Sequence, residues 1–184
     1  MGNSGSYVMG FVLADTHDWL NGAAEGEKPF EVVPLQTFEN LRKGVGDGTA
    51  DFFMWEHFTS KRYFHQDLKY PIKKMGEIYT PWPSWHIVAR DEVVGDERLE
   101  EFFRKLDEGV EYFERNQEEA VKYISTELDY EEGDAREWLG TVRFARGVKG
   151  VRESVVEKTV RVLKKAGVLG EVGTEGMVGI RREE

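Results

Sequence analysis

Residues 30–55 constrain the fold more than any other stretch. A short β-branched run, FEVVPL at residues 30–35, reads as a strand, and Thr37 then stands where a helix cap is needed. Phe38, Leu41 and Val45 follow at helical spacing, with Gly46 and Gly48 as the stop. Residues 51–55, DFFMW, are an apolar run of the kind found in a strand covered on both faces. Strand, helix and strand in that order predict a parallel pair with a right-handed crossover.

Ahead of this unit, Val8, Phe11, Val12, Asp15 and Trp19 predict a helix over residues 6–20, with Ser4 or Ser6 as its cap. A capped apolar helix with no strand to deliver it resembles the middle of an α/β unit, so the expectation is that an N-terminal part of the fold is missing. Residues 21–28 are polar and glycine-rich and read as a loop. A short helix is expected over 58–64, and strands over 73–79 and 85–90 with TPWPS between them. From Asp96 onward the pattern turns helical. Leu99, Phe102, Phe103, Leu106, Val110 and Phe113 share one face of a long helix capped by Asp96. Further helices are expected over 118–128, 132–144 and 152–165, broken by Gly147, Gly150 and Gly167, with a disordered tail at 170–184.

The formal net charge of -10 repels phosphate backbones, and no local basic patch stands out to overcome it, so nucleic acid is not an expected partner. No window approaches the roughly 18 apolar residues of a membrane span, so a membrane is not expected either. Zero cysteines exclude disulfides, thiolate catalysis and cysteine-held zinc. The polar start, residues 1–7, lacks the basic and apolar regions of a secretory signal, which predicts a cytoplasmic protein.

Ser4, Gly5 and Ser6 stand at a helix N-terminus, where free amides and the positive end of the helix dipole favour an anion; an ordinary cap is the plainer reading. Trp55 and Glu56 end the apolar run, where parallel sheets place ligands, although a core Trp and a solvated Glu fit equally well. Trp82, Trp85 and Tyr79 surround the proline loop and could stack on a planar ligand or pack as core. His57, His65, Glu56 and Asp67 match no metal-ligand spacing, so no metal is expected. Ser4 or Ser6 with His17 and Asp15 is no triad: it lacks a nucleophile elbow, and the helix carries His17 away from the serines. No nucleotide-binding glycine loop occurs, and no cofactor is expected.

The segments NSGSYVMGFVLAD, FEVVPLQTFENLRKGVGDGTADFFMWEHF and GEIYTPWPSWHIVAR together resemble the type 2 periplasmic-binding-protein-like proteins. The nearest resemblance is to a largely fungal cytosolic branch, itself similar to sulfonate, taurine and thiamine-precursor binding proteins and to the thiamine-pyrimidine-forming enzyme. This resemblance implies an α/β fold in which residues 1–80 are the second α/β lobe. Residues 81–169 would be the returning strand and helices of a first, incomplete lobe. It further implies a small-molecule ligand, anionic or heteroaromatic, faced by Ser4, Gly5, Ser6, Tyr7, Trp55 and Glu56, with Trp82 as a further stacking surface. The pyrimidine-forming enzymes carry a cysteine-rich motif, and this chain has no cysteine, so their catalysis does not carry over. An enzyme of thiamine pyrimidine biosynthesis, on the family similarity alone, and an inactive truncated product are the alternatives. Half a cleft would leave apolar surface exposed, which makes a homodimer an expected partner.

Overall fold

The computed structural model describes residues 4–20, 28–65, 68–128 and 130–183. The loop expected over 21–28 lies almost wholly outside them, as does Asp67. Seven α-helices occur among the described residues: α1 Gly5–Thr16, α2 Phe38–Asp47, α3 His57–Lys61, α4 Arg98–Arg115, α5 Gln117–Glu127, α6 Glu132–Thr141 and α7 Glu153–Lys165. None is long and apolar enough to cross a membrane. The chain divides into two compact units. One holds the residues up to Pro81 together with Lys158–Gly173, and the other holds Trp82–Glu157 and the residues from Thr174 on.

In the first unit the cap chemistry sets the helix starts. Ser4, not Ser6, caps α1, its Oγ accepting from the Tyr7 amide at 3.1 Å, and Thr37 caps α2 by accepting from Asn40 at 3.2 Å. Gly48 takes the left-handed conformation (φ 81°) that ends α2, whereas Gly46 stays inside the helix. α1 buries Met9, Phe11, Val12 and Ala14, and Gly10 leaves room for the Phe30 ring, whose tip stands 3.1 Å from where a Cβ would be.

The expected strands are corrected. Residues 30–35, 51–55, 73–79 and 85–90 form no ladder, and the described residues contain no strand beyond one isolated bridge. β-branched and aromatic composition marks segments able to pair, but a ladder also needs a neighbouring strand in register. Residues 51–55 keep strand-like alternation even so. Phe52 and Met54 turn toward Phe30 and α1, while Phe53 and Trp55 turn toward Phe38 on α2.

The second unit is helical. α5 and α6 pack through Val121, Ile124, Ala135 and Leu139, with Phe113, Tyr130 and Trp138 against them. Asp96 acts at the start of α4, its carboxylate accepting from the Arg98 amide at 2.9 Å. α6 ends at Thr141 rather than reaching Phe144, whose ring instead meets Phe113 edge-on at 5.5 Å. The tail is also corrected. Val151 and Arg181 form a parallel bridge, and Gly179 closes on Val94, so this stretch is held by backbone bonds that no local composition announces.

Candidate functional site

Four of the expected site residues form the start of α1. The Ser4 carbonyl accepts from Val8 and its hydroxyl from Tyr7, which leaves the amides of Gly5 and Ser6 as the outward-facing donors of the first turn. No acidic side chain occupies that turn, and space is open around Gly5. No carboxylate within the turn itself therefore compensates the positive end of the helix dipole.

Beside this turn lies a cavity of about 470 Å³ lined by Tyr7, Val8 and Phe11 of α1 and by Leu163, Gly167, Val168 and Leu169. The second wall depends on how α7 ends. Gly167, at φ 71°, donates to the Lys164 carbonyl, and Val168 donates to that of Leu163, the paired bonds of a Schellman turn. Reversal of the chain there turns Val168 and Leu169 back toward α1. An ion pair between Lys165 and Asp15, 3.0 Å, ties the same two helices. The lining side chains are apolar except for the Tyr7 hydroxyl, and polar atoms share the lining surface with them beside a donor-rich helix start. The sequence reading missed this second wall, since Gly167 was legible only as a breaker.

Trp55 and Glu56 lead from the extended residues 51–54 into α3. Trp55 is 46% exposed and stacks on Phe38 at 4.9 Å with its plane tilted by only 13°. The Glu56 carboxylate caps α3, one oxygen accepting from Phe58 at 3.0 Å and the other from Thr59 at 2.7 Å. It is thus already bonded to the chain's own amides. Around the same aromatic group, Arg42 lies 3.6 Å from the centre of the Tyr63 ring and donates to the carbonyls of Lys69 at 2.6 Å and Tyr70 at 3.2 Å. Nothing in the spacing of these residues marks Arg42, a helical arginine among several, as buried.

Trp82 opens the second unit and is half-buried. Tyr79 and Trp85, expected with it as stacking or core residues, are 82% and 92% exposed. The Tyr79 hydroxyl donates to Glu77 at 2.9 Å. Hydrogen bonds from Lys74 and then from Tyr79 hold the Glu77 carboxyl below its usual range. No group of three or more potential metal ligands gathers among the described residues.

Comparison with known proteins gives this chain relatives. Residues 1–78 match the Ca3427-like PBP family. A solved structure, the Candida albicans CA3427 gene product, described as defining a new family with the generic periplasmic binding protein fold, is 38% identical with a TM-score of 0.77. The match covers 92% of this chain and 55% of that one, so the chain spans about half the length of its solved relative. No curated protein sequence matches. On these two matches the chain is similar to the periplasmic-binding-protein-like proteins.

Proposed function

We propose that the chain contributes the ligand-holding lobe of a small-molecule-binding protein, and that the ligand carries an anionic group such as a sulfonate or phosphate, or is a heteroaromatic thiamine precursor. In this reading residues 1–80 are one lobe and residues 81–169 the segment returning to the other. The family match over residues 1–78 and the division at Pro81 support the boundary near residue 80, whereas Lys158–Gly173 groups with the first unit. The observation that carries the ligand class is the start of α1: two outward amides at Gly5 and Ser6, no acid in the first turn, and an adjoining cavity that reaches Tyr7. Trp55, with half its surface open, offers a stacking face. Glu56 contributes by holding α3 in place rather than by meeting the ligand.

The test separates binding from folding because one substitution pushes them in opposite directions. Gly5→Glu puts a carboxylate where the anion would sit, yet an acid in the first turn stabilises a helix by about 0.3–1 kcal/mol. Isothermal titration with taurine, inorganic phosphate and hydroxymethylpyrimidine should show binding of at least one by the unsubstituted protein. Gly5→Glu should lose binding of the anionic probes with a Tm unchanged or raised. Silence toward all three would overturn the reading.

A further inference from the structure

Residues 142–152 and 181–182 are basic segments far apart in the sequence, and the second unit brings them side by side. Residues 142–152 carry Arg143, Arg146, Lys149 and Arg152 and no acidic residue, in a chain whose net charge is -10. The bridge between Val151 and Arg181 lays Arg181 and Arg182 alongside them. Val151 donates to the Ile180 carbonyl and Arg182 to that of Val151, each at 3.0 Å. Glycine is required for this approach. Gly150 sits at φ 78°, and a Cβ there would lie 3.2 Å from the carbonyl carbon and oxygen of Arg181. The Arg182 guanidinium staples the loop by donating to the carbonyls of Gly147 and Lys149.

The charges of this loop are not matched as they are elsewhere in the unit. On α4, Arg98, Arg104 and Arg115 each meet a carboxylate of their own helix or its start. In the loop, Lys149 reaches Glu100 and Arg181 reaches Glu153, but among the described residues no carboxylate pairs with Arg143, Arg146 or Arg152. All three are exposed, and Phe144, 44% exposed, lies between the first two in the chain.

We infer that this loop is a docking surface for a short acidic segment of a partner protein. Guanidinium groups pair with carboxylates in a bidentate fork, and an exposed aromatic ring adds apolar contact that a purely ionic surface lacks. The size of the occupant follows from the charge of the whole chain. An extended polyanion would run far over a chain of net negative charge, whereas a short peptide stays near the patch, charges more than roughly 8–10 Å away being largely screened at moderate salt.

The probe is a fluorescein-labelled octaglutamate peptide, followed by anisotropy at about 20 mM and about 300 mM salt. Binding is expected at low salt and should weaken at high salt. Combined replacement of Arg143, Arg146 and Arg152 by Gln leaves Arg182, Lys149 and Gly150 in place and should weaken binding by about tenfold or more. Arg146→Gln alone should show a smaller loss in the same direction. The matching α4 variant, with Arg98, Arg104 and Arg115 replaced by Gln, changes net charge equally and should bind as the unsubstituted protein does. Absence of binding at low salt, or equal losses in the two triple variants, would overturn the inference. So would tighter binding of oligothymidylate or of phosphatidylserine vesicles than of the peptide.

Discussion

Arg42 is 6% exposed and lies over the Tyr63 ring while donating to two carbonyls. Its Nε is buried without a partner, so the stacking and the two carbonyl bonds carry the cost of its burial. One of those carbonyls belongs to Tyr70, which holds a left-handed φ of 55°, a conformation that costs a residue other than glycine of order 1 kcal/mol or more. Arg42→Met should therefore destabilise the protein by about 2 kcal/mol, because it orphans both carbonyls and releases Tyr70. Urea unfolding checks this, and a midpoint equal to that of the unsubstituted protein would show that the carbonyls find water instead. Single residues were legible in the sequence where their chemistry is local. Ser4 and Thr37 could be read as caps because a cap acts on amides within three positions. Glu56 could be placed at the end of the apolar run, but not recognised as a cap, until α3 was seen to begin at His57.

At the scale of elements, the start of α4 is the place where pH should act. The guanidinium of Arg98 first, and its backbone amide second, hold the Asp96 carboxyl at about 2, below its ordinary 3.8. A depressed carboxyl contributes stability that is full above its unfolded value and is lost as pH falls through its folded one. Helical circular dichroism on acidification should thus show α4 fraying between about pH 4 and pH 2, and Asp96→Asn should remove that part of the change. Identical acid titrations of the two proteins would count against this role. Helices were legible as elements because their apolar spacing and caps lie within the element. Strands were not, because FEVVPL and DFFMW encode extended, alternately facing side chains while a ladder depends on a second segment. The stacking of Phe38 on Trp55 does for residues 51–55 part of what a sheet would do.

The whole molecule is divided in space differently from the way it is divided along the chain. The first unit includes Lys158–Gly173, reached only after all the helices α4 to α6 have been passed. Tyr79 and Trp85, 82% and 92% exposed in stretches without helix or ladder, offer chymotrypsin its first cuts. A nick at either should leave two fragments that travel together in gel filtration under native conditions, since Lys165 still pairs with Asp15 and Leu163 still faces Phe11. Fragments that separate would show that these contacts do not suffice. The break near residue 81 has a local signal in its prolines, but the return of Lys158–Gly173 and the joining of Arg181 and Arg182 to the basic residues of 142–152 have none. Both depend on pairings between positions far apart in the chain.

That discontinuity also sets an order of events during synthesis. When Pro81 leaves the ribosome, the wall of the α1 cavity formed by Leu163, Val168 and Leu169 has not yet been translated. At elongation rates of about 5–20 residues per second, the early segment waits for several seconds with Tyr7, Val8 and Phe11 uncovered. A nascent chain in that interval is the form most in need of a chaperone, and slowing translation after residue 81 should lengthen the time it spends on one.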